Sequence, residues 1–125
     1  MITALDHVQV AIPRDAEDAA RSFYAGLLGM AELSKPPRLA ARGGCWFQSG
    51  SAILHLGVEE PFSPARKAHP AFVVDNLDDL ERRLVSAGHP CARGDGELPG
   101  VRRFHTFDPF GNRIEFQADA ATVTR

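Results

Sequence analysis

An internal repeat of about 60 residues limits the fold of this chain more than any other feature. Similar residues recur in the second half at a nearly constant separation. The pairs are His7 and His69, Asp15 and Asn76, Gly29 and Gly88, Gly50 and Gly111, and His55 and Glu115, separated by 62, 61, 59, 61 and 60 positions. Such self-similarity predicts two copies of one supersecondary unit. The 125 residues suit one domain, with module 1 over about 1–58, a linker rich in proline and charge over 59–68, and module 2 over 69–118.

The first copy has the pattern of a strand, a helix and further strands. Hydrophobic and polar residues alternate over Leu5–Ile12, which is typical of a half-buried strand. Asp15 is placed to cap a helix and Gly29 to end it. The strands predicted after this helix are a short one within Leu33–Arg42 and a hairpin of Cys45–Ser49 and Ser51–Val58.

The second copy follows the same plan. His69–Val74 is a predicted strand, and the helix after it is capped by Asn76 or Asp75 and ends at Gly88. A hairpin of Arg102–Phe107 and Asn112–Gln117 closes the unit, with a turn at Asp108-Pro109-Phe110-Gly111.

Four side chains able to bind a metal fall on one side of the predicted strands. In the first strand Val8 and Val10 face the helix, so His7 lies on the opposite, open side. The same alternation gives an open-face set of His7, His55, His69 and Glu115. Three imidazoles and one carboxylate suit zinc, nickel, iron or manganese better than calcium or magnesium. Packed histidines and a solvated glutamate are the alternative, but the pairwise equivalence under the repeat favours a metal site.

Other polar and aromatic residues near this set are candidates for substrate binding. Arg103 and Arg113 belong to a basic group that can hold a carboxylate or phosphonate, with solvated strand-edge charges as the alternative. Phe47 is a candidate apolar wall, with a plain core position or a dimer contact as its alternative, and His105 is assigned no role. The predicted substrate contacts are Gln9, Phe47, Arg103, Arg113 and Gln117.

Charge and composition exclude several classes of function. A formal net charge of -2 argues against a nucleic-acid-binding protein, which usually has a basic face. No apolar run approaches the roughly 20 residues that span a bilayer, and no basic region precedes an apolar stretch at the N-terminus, as in a signal peptide. Cys45 and Cys91 have no C-x-x-C spacing, so reduced thiols and a cytoplasmic location are expected.

Four segments resemble the vicinal oxygen chelate superfamily. They are L-D-H-V at 5–8, F-Y-x-x-x-L-G-M at 23–30, A-H-P-A-F at 68–72 and D-P-x-G-N-x-I-E-F at 108–116. The superfamily includes glyoxalase I, fosfomycin-resistance proteins, extradiol dioxygenases, methylmalonyl-CoA epimerase and bleomycin-resistance proteins. The resemblance covers essentially the full length.

The resemblance implies an α+β fold of two tandem βαβββ modules, which form a curved mixed sheet around a metal site. It assigns His7, His69 and Glu115 as metal ligands. His55 stands where glyoxalase I has a second glutamate, and serves either as a fourth ligand or as a neutral base. The resemblance also implies a homodimer with shared active sites, in which His7 of one chain joins His69 and Glu115 of the other.

The function implied is that of an enzyme dependent on a divalent metal (zinc, nickel, manganese or iron) and acting on a small molecule. The metal would chelate two adjacent substrate oxygens, and Glu115 or His55 would move a proton. Glyoxalase-like lyase or isomerase chemistry and thiol transfer are the leading reactions, although the histidine at 55 argues against plain glyoxalase I activity. The alternatives are a metal-free protein of the bleomycin-resistance type, which sequesters a drug or metabolite, and an extradiol-type dioxygenase.

Overall fold

The chain divides into two compact units, each built on one four-stranded sheet. The computed structural model describes residues 1–119, and the first unit is Met1–Ala65, with the second beginning at Arg66. The first unit contains β1 (Val8–Ile12), α1 (Glu17–Ala20), β2 (Ala31–Leu33), α2 (Pro37–Ala40), β3 (Cys45–Ser49) and β4 (Ala52–Val58). The second contains β5 (Ala71–Val74), α3 (Leu77–Ser86), β6 (Ala92–Arg93), β7 (Arg103–Phe107) and β8 (Arg113–Ala118).

The two sheets have the same topology. The strand order is β1-β4-β3-β2 in the first and β5-β8-β7-β6 in the second. In each sheet the first strand pairs in parallel with the fourth, and the other neighbours are antiparallel. This arrangement confirms the predicted α+β fold of two βαβββ modules with mixed sheets.

Aromatic packing closes the core of the first unit. A π-helical stretch, Arg21–Leu27, directly follows α1. Its wider turn brings consecutive side chains closer to one face, and Phe23 and Tyr24 are both buried. The Tyr24 ring stacks on Phe47 of β3, with ring centroids 5.8 Å apart. The helix therefore covers the side of the sheet opposite to the open face.

The predicted helix ends are correct in three of four cases. The Asn76 side chain accepts a hydrogen bond from the backbone N–H three residues on, at 3.1 Å, and Gly29 and Gly88 have φ of +74° and +91°, as a left-handed C-terminal residue requires. The cap predicted at Asp15 is wrong. Asp15 has a φ of +62°, α1 begins only at Glu17, and no side chain caps it.

The segment between β2 and β3 also differs from its prediction. The strand expected within Leu33–Arg42 lies earlier, since β2 ends at Leu33, and α2 occupies Pro37–Ala40. Proline is favoured in the first helical turn because the N–H that it lacks has no partner there anyway. Pro36 and Pro37, which disfavour a strand, thus start a short helix.

The second unit buries α3 against β7 and β8. Leu80 and Leu84 of the helix and Phe104 and Phe116 of the strands are buried. The strand predicted to open at His69 begins two residues later. Pro70 has no N–H to donate to a ladder, although its carbonyl accepts the backbone N–H of the β8 residue 115 at 3.0 Å. Within residues 1–119, no helix has the length and apolar character needed to cross a membrane.

Candidate metal centre

A buried carboxylate, that of Glu115 on β8, is the centre of a polar cluster in the second unit. The residue is only 4% exposed. The Nε2 atoms of His69 and His105 both lie within hydrogen-bond distance of its Oε1, at 3.0 and 3.1 Å. Both rings thus point a nitrogen at the same oxygen, and an ionised carboxylate can only accept hydrogen bonds.

The second carboxylate oxygen is also occupied. Gln117 donates to Oε2 of Glu115 through its Nε2 at 2.7 Å, and Arg103 donates through Nη1 at 3.3 Å. Burial alone raises the pKa of Glu115, but the hydrogen bonds from Gln117 and His69 and the charge of Arg103 outweigh burial and lower the pKa to about 2. Glu115 is therefore fully ionised at neutral pH.

Strand register brings these side chains together. His105 of β7 lies directly opposite Glu115, and Arg103 lies opposite Gln117. Side chains of directly opposed residues share one face of a sheet. On the other side of β8, Ala71 is the partner of Glu115, so a residue two positions earlier, His69, reaches the same face.

The donor set fits a divalent transition metal or zinc. One ligand atom from each of His69, His105 and Glu115 can be chosen so that all lie within 4.8 Å of one another. Two imidazole nitrogens and one carboxylate oxygen are typical ligands of zinc and of non-haem iron. The pKa of His105 is lowered by burial and by the charge of Arg113, which favours the neutral ring that a metal requires.

The contacts of the His69 ring are a second indication of a cation site. Its Nδ1 lies 2.8 Å from the Lys67 carbonyl oxygen, and its Nε2 lies 3.0 Å from the Glu115 carboxylate. A neutral imidazole has a single N–H and can satisfy only one of these two acceptors. The pair therefore requires either an imidazolium or a cation held between Nε2 and the carboxylate. A backbone carbonyl that fixes Nδ1–H is a common partner of a histidine ligand.

The other two predicted ligands lie together in the first unit. The rings of His7 and His55 stack with centroids 3.9 Å apart, and His55 stacks on Trp46 at 4.0 Å. His7 also bonds Asp6 through Nδ1 at 2.8 Å. Burial, and then the nearby His7, lower the pKa of His55, which favours the neutral form of this ring. The four predicted ligands are thus found as two pairs, each within its own unit.

The predicted substrate contacts differ in their surroundings. Gln9 lies on the open face, opposite His55, and its amide covers Gly57, where a Cβ would meet it at 3.1–3.3 Å. Phe47 pairs with Leu54 and is fully buried, so it is a core residue and does not line the open face. Its neighbour Trp46 lies on the open face instead.

The remaining predicted contacts lie in the second unit. Arg113 lines a cavity of about 610 Å³ together with Arg103 and His105, whereas Gln117 bonds Glu115. No role for His105 was expected from the sequence. Counting outward from a closing pair of Asp108 and Gly111 would have placed His105 opposite Ile114. The Asp108 N–H instead bonds the Asn112 carbonyl oxygen, and this pairing moves His105 opposite Glu115.

The comparisons with known proteins agree with this fold. Residues 4–116 match the family model of the Glyoxalase/Bleomycin resistance protein/Dioxygenase superfamily. The chain therefore belongs to this superfamily, which confirms the resemblance seen in the sequence. No protein with a curated functional description matches it.

Two solved structures show how far the similarity extends. A Bacillus anthracis protein assigned to the glyoxalase family has 46% sequence identity and a TM-score of 0.90, over 95% of this chain and 97% of that one. The fosfomycin resistance protein FosX from Listeria monocytogenes has 13% identity and a TM-score of 0.76, with both chains fully covered. The second likeness concerns the fold alone.

Proposed function

We propose that this protein is a divalent-metal-dependent, glyoxalase-like enzyme that binds a small substrate through two adjacent oxygens. The observation that carries the proposal is the pair of contacts made by His69, whose two ring nitrogens both face acceptors. A metal in the centre would act as a Lewis acid on the substrate oxygens. Superfamily membership supports the same chemistry.

The residues of the chain have separate roles in this proposal. His69 and Glu115 hold the metal, and His105 joins them in the second unit. His7 remains a proposed ligand on the basis of the superfamily resemblance. His55, kept neutral by burial, accepts a substrate proton at an imidazole nitrogen, because a base works best when it is unprotonated near the working pH.

Arg113 is the proposed contact for a substrate anion at this centre. It lies on the same strand as Glu115 and lines the 610 Å³ cavity with His105. Within residues 1–119 its guanidinium has no ion pair, whereas Arg103 is paired with Glu115 and Glu97. A guanidinium without a carboxylate partner is suited to a substrate carboxylate or phosphonate.

Metal analysis tests the proposal directly. Untagged protein, reconstituted with zinc, nickel, manganese or iron(II), is compared with a His69→Ala, Glu115→Ala double variant by elemental analysis after desalting. We expect near-stoichiometric metal in the unaltered protein and none in the double variant. His89→Ala is the matched control, because His89 lies in the same unit outside the cluster, and it should keep the metal. Absence of metal from the unaltered protein after reconstitution would refute the proposal.

A metal-free binding protein is the second candidate, and one observation favours it. Arg103 places a fixed positive charge 3.3 Å from Oε2 of Glu115, which opposes a second cation there. In that case Glu115 is a neutralised structural carboxylate and the protein sequesters its ligand. Ligand binding that survives in the His69→Ala, Glu115→Ala double variant, in a protein without metal, would support this candidate.

Iron as the preferred metal would instead favour the alternative of an extradiol-type dioxygenase.

The cellular setting belongs to the same proposal. We propose a small-molecule substrate, with neither nucleic acid nor membrane as a partner, and a cytoplasmic location. Both cysteines, Cys45 and Cys91, are free, as expected where thiols stay reduced. Cell fractionation followed by immunodetection checks the location.

A further inference from the structure

The first unit contains a cavity of about 530 Å³ over the open face of its sheet. Its floor is formed by strand residues, among them Gln9, Trp46 and His55, and its rim by the segment between β2 and β3. Lys35, Leu39 and Arg42 are the rim side chains. The volume is sufficient for a small organic ligand.

The side chains that line this cavity carry positive charge. Lys35 and Arg42 line it, and none of its lining residues is an aspartate or a glutamate. The Lys35 ammonium donates to the Gly43 carbonyl oxygen and lies 5.8 Å from the centre of the Trp46 ring. Neither partner is an anion. For the Arg42 guanidinium, the part of the chain that the structure describes offers no ion pair.

Glycine geometry fixes the rim in place. Gly43 and Gly44 have φ of +78° and +81°, values that other residues rarely adopt. A Cβ on Gly44 would lie 2.1 Å from the Leu56 carbonyl oxygen of β4, so the chain passes against the sheet where only glycine fits. The Gly44 N–H also donates to Glu17 at 2.8 Å. Arg42, just before these glycines, is therefore held at the cavity by a pinned segment.

The cavity also has apolar surface next to this charge. Trp46 is half-buried and lies nearly parallel to His55, with an angle of 6° between the rings. Leu39 adds an aliphatic surface on the rim. Binding sites of this kind combine apolar walls with a few placed polar groups that select the ligand.

We infer that this cavity binds an organic anion, whose carboxylate or phosphonate contacts Arg42 and Lys35 and whose apolar body contacts Trp46 and Leu39. It would be a second anion contact of this chain beside Arg113, and its lining, unlike that of the second-unit cavity with Glu97, includes no carboxylate. The inference deepens the proposed function and rests on it in one respect, namely that the ligand is the substrate.

Trp46 allows a direct test because it is the single tryptophan of the chain. Metal-free full-length protein is titrated with phenylphosphonate, and with benzyl alcohol as an uncharged counterpart, while tryptophan fluorescence is recorded. We expect a saturable change with phenylphosphonate and much weaker binding of benzyl alcohol. Arg42→Gln and Lys35→Gln should each weaken phenylphosphonate binding about tenfold or more, the usual effect of losing a charge-assisted hydrogen bond.

Matched variants separate this site from general attraction of anions. Arg38→Gln removes an exposed charge from α2 outside the cavity lining and should leave the affinity unchanged. Arg42→Lys keeps the charge without the planar guanidinium and should give an intermediate loss. Circular dichroism establishes that each variant is folded. Equal affinities for unaltered protein, Lys35→Gln and Arg42→Gln, or an Arg38→Gln loss as large as that of Arg42→Gln, would overturn the inference.

Failure of this inference and failure of the metal proposal are distinguishable. The His69→Ala, Glu115→Ala variant is altered only in the second unit, so without metal it should bind phenylphosphonate as tightly as the unaltered protein. Binding of phenylphosphonate by a protein that takes up no metal would refute the metal proposal alone. Metal uptake without phenylphosphonate binding would refute the cavity alone.

Discussion

At the scale of single residues, Glu115 illustrates how neighbours keep a buried carboxylate charged. Its native pKa of about 2 lies below the ordinary value of 4.5, so ionisation favours the folded state. This stabilisation is fully present above about pH 4.5 and is lost as the pH falls through about 2. The difference between the two pKa values corresponds to a free energy on the order of 3 kcal/mol.

Glu115→Gln should therefore flatten the acid dependence of stability. We expect metal-free unaltered protein to lose on the order of 3 kcal/mol more free energy of unfolding than the variant between about pH 5 and about pH 2. Urea denaturation at a series of pH values measures this difference. Glu59→Gln, at an exposed residue, should retain the steep dependence of the unaltered protein. A Glu115→Gln profile as steep as that of Glu59→Gln would contradict the prediction.

The candidate site could be predicted from the sequence only as far as alternation in single strands allows. Alternation places His69 and Glu115 on the open face, because the hydrophobic residues Phe72 and Val74 in one strand, and Ile114 and Phe116 in the other, take the opposite face. It leaves Trp46 and Phe47 undecided, since adjacent aromatic residues fit either face, and only the pairing of Phe47 with Leu54 decides it. His105 requires the register between two strands, which is a property of the hairpin.

At the scale of elements, the turn into β3 shows a backbone that depends on glycine. Gly44→Ala would place a methyl group against the Leu56 carbonyl oxygen as well as straining a φ of +81°. Gly50 is the matched control, because its φ is +57° but a Cβ there would meet nothing within 4 Å. Backbone strain of this kind costs about 1 kcal/mol or more.

Gly44→Ala should therefore be clearly more destabilising than Gly50→Ala. We expect a loss of about 1 kcal/mol for Gly50→Ala, and at least twice that for Gly44→Ala, because the clash adds to the strain. Urea denaturation of the two variants at neutral pH gives both values. Equal losses would show that β4 and the glycine segment separate at little cost, against the idea of a pinned cavity rim.

The elements that escaped sequence prediction are the shortest ones. β6 has two residues and α2 has four, so neither is long enough for an alternating or helical pattern to repeat and be recognised. β6 exists because Ala92 and Arg93 pair with His105 and Phe104 of β7. Its formation is thus determined by a neighbouring strand, whereas α3 carries its own signals in its Asn76 cap and leucine spacing.

At the scale of the whole chain, the repeat is the feature that sequence predicts best. Equivalent landmarks about 60 residues apart lead to sheets of identical strand order. The reason is that local sequence determines helix ends, through glycines, and strand faces, through hydrophobic alternation. Two copies of these local signals therefore produce two copies of the unit. The way in which chains associate with one another is not determined by such local sequence signals.

A homodimer remains our prediction for the assembled protein. Val73 pairs with Gln117, so it lies on the face that carries Glu115, and yet it is 66% exposed. Phe107, opposite Arg113 on the same sheet, is 49% exposed. Exposed apolar residues grouped on one sheet face are typical of protein interfaces, and most homo-oligomers are two-fold dimers.

Light scattering coupled to size-exclusion chromatography should give twice the mass of one chain, and Val73→Asp should shift the equilibrium to monomer on dilution. A charge placed in an apolar interface loses its hydration without gaining a partner, so it weakens association strongly. Val85→Asp introduces the same charge at an exposed position of α3 and should leave the dimer intact. A monomeric mass for the unaltered protein at all concentrations, or equal dissociation by both variants, would count against an interface on this sheet face.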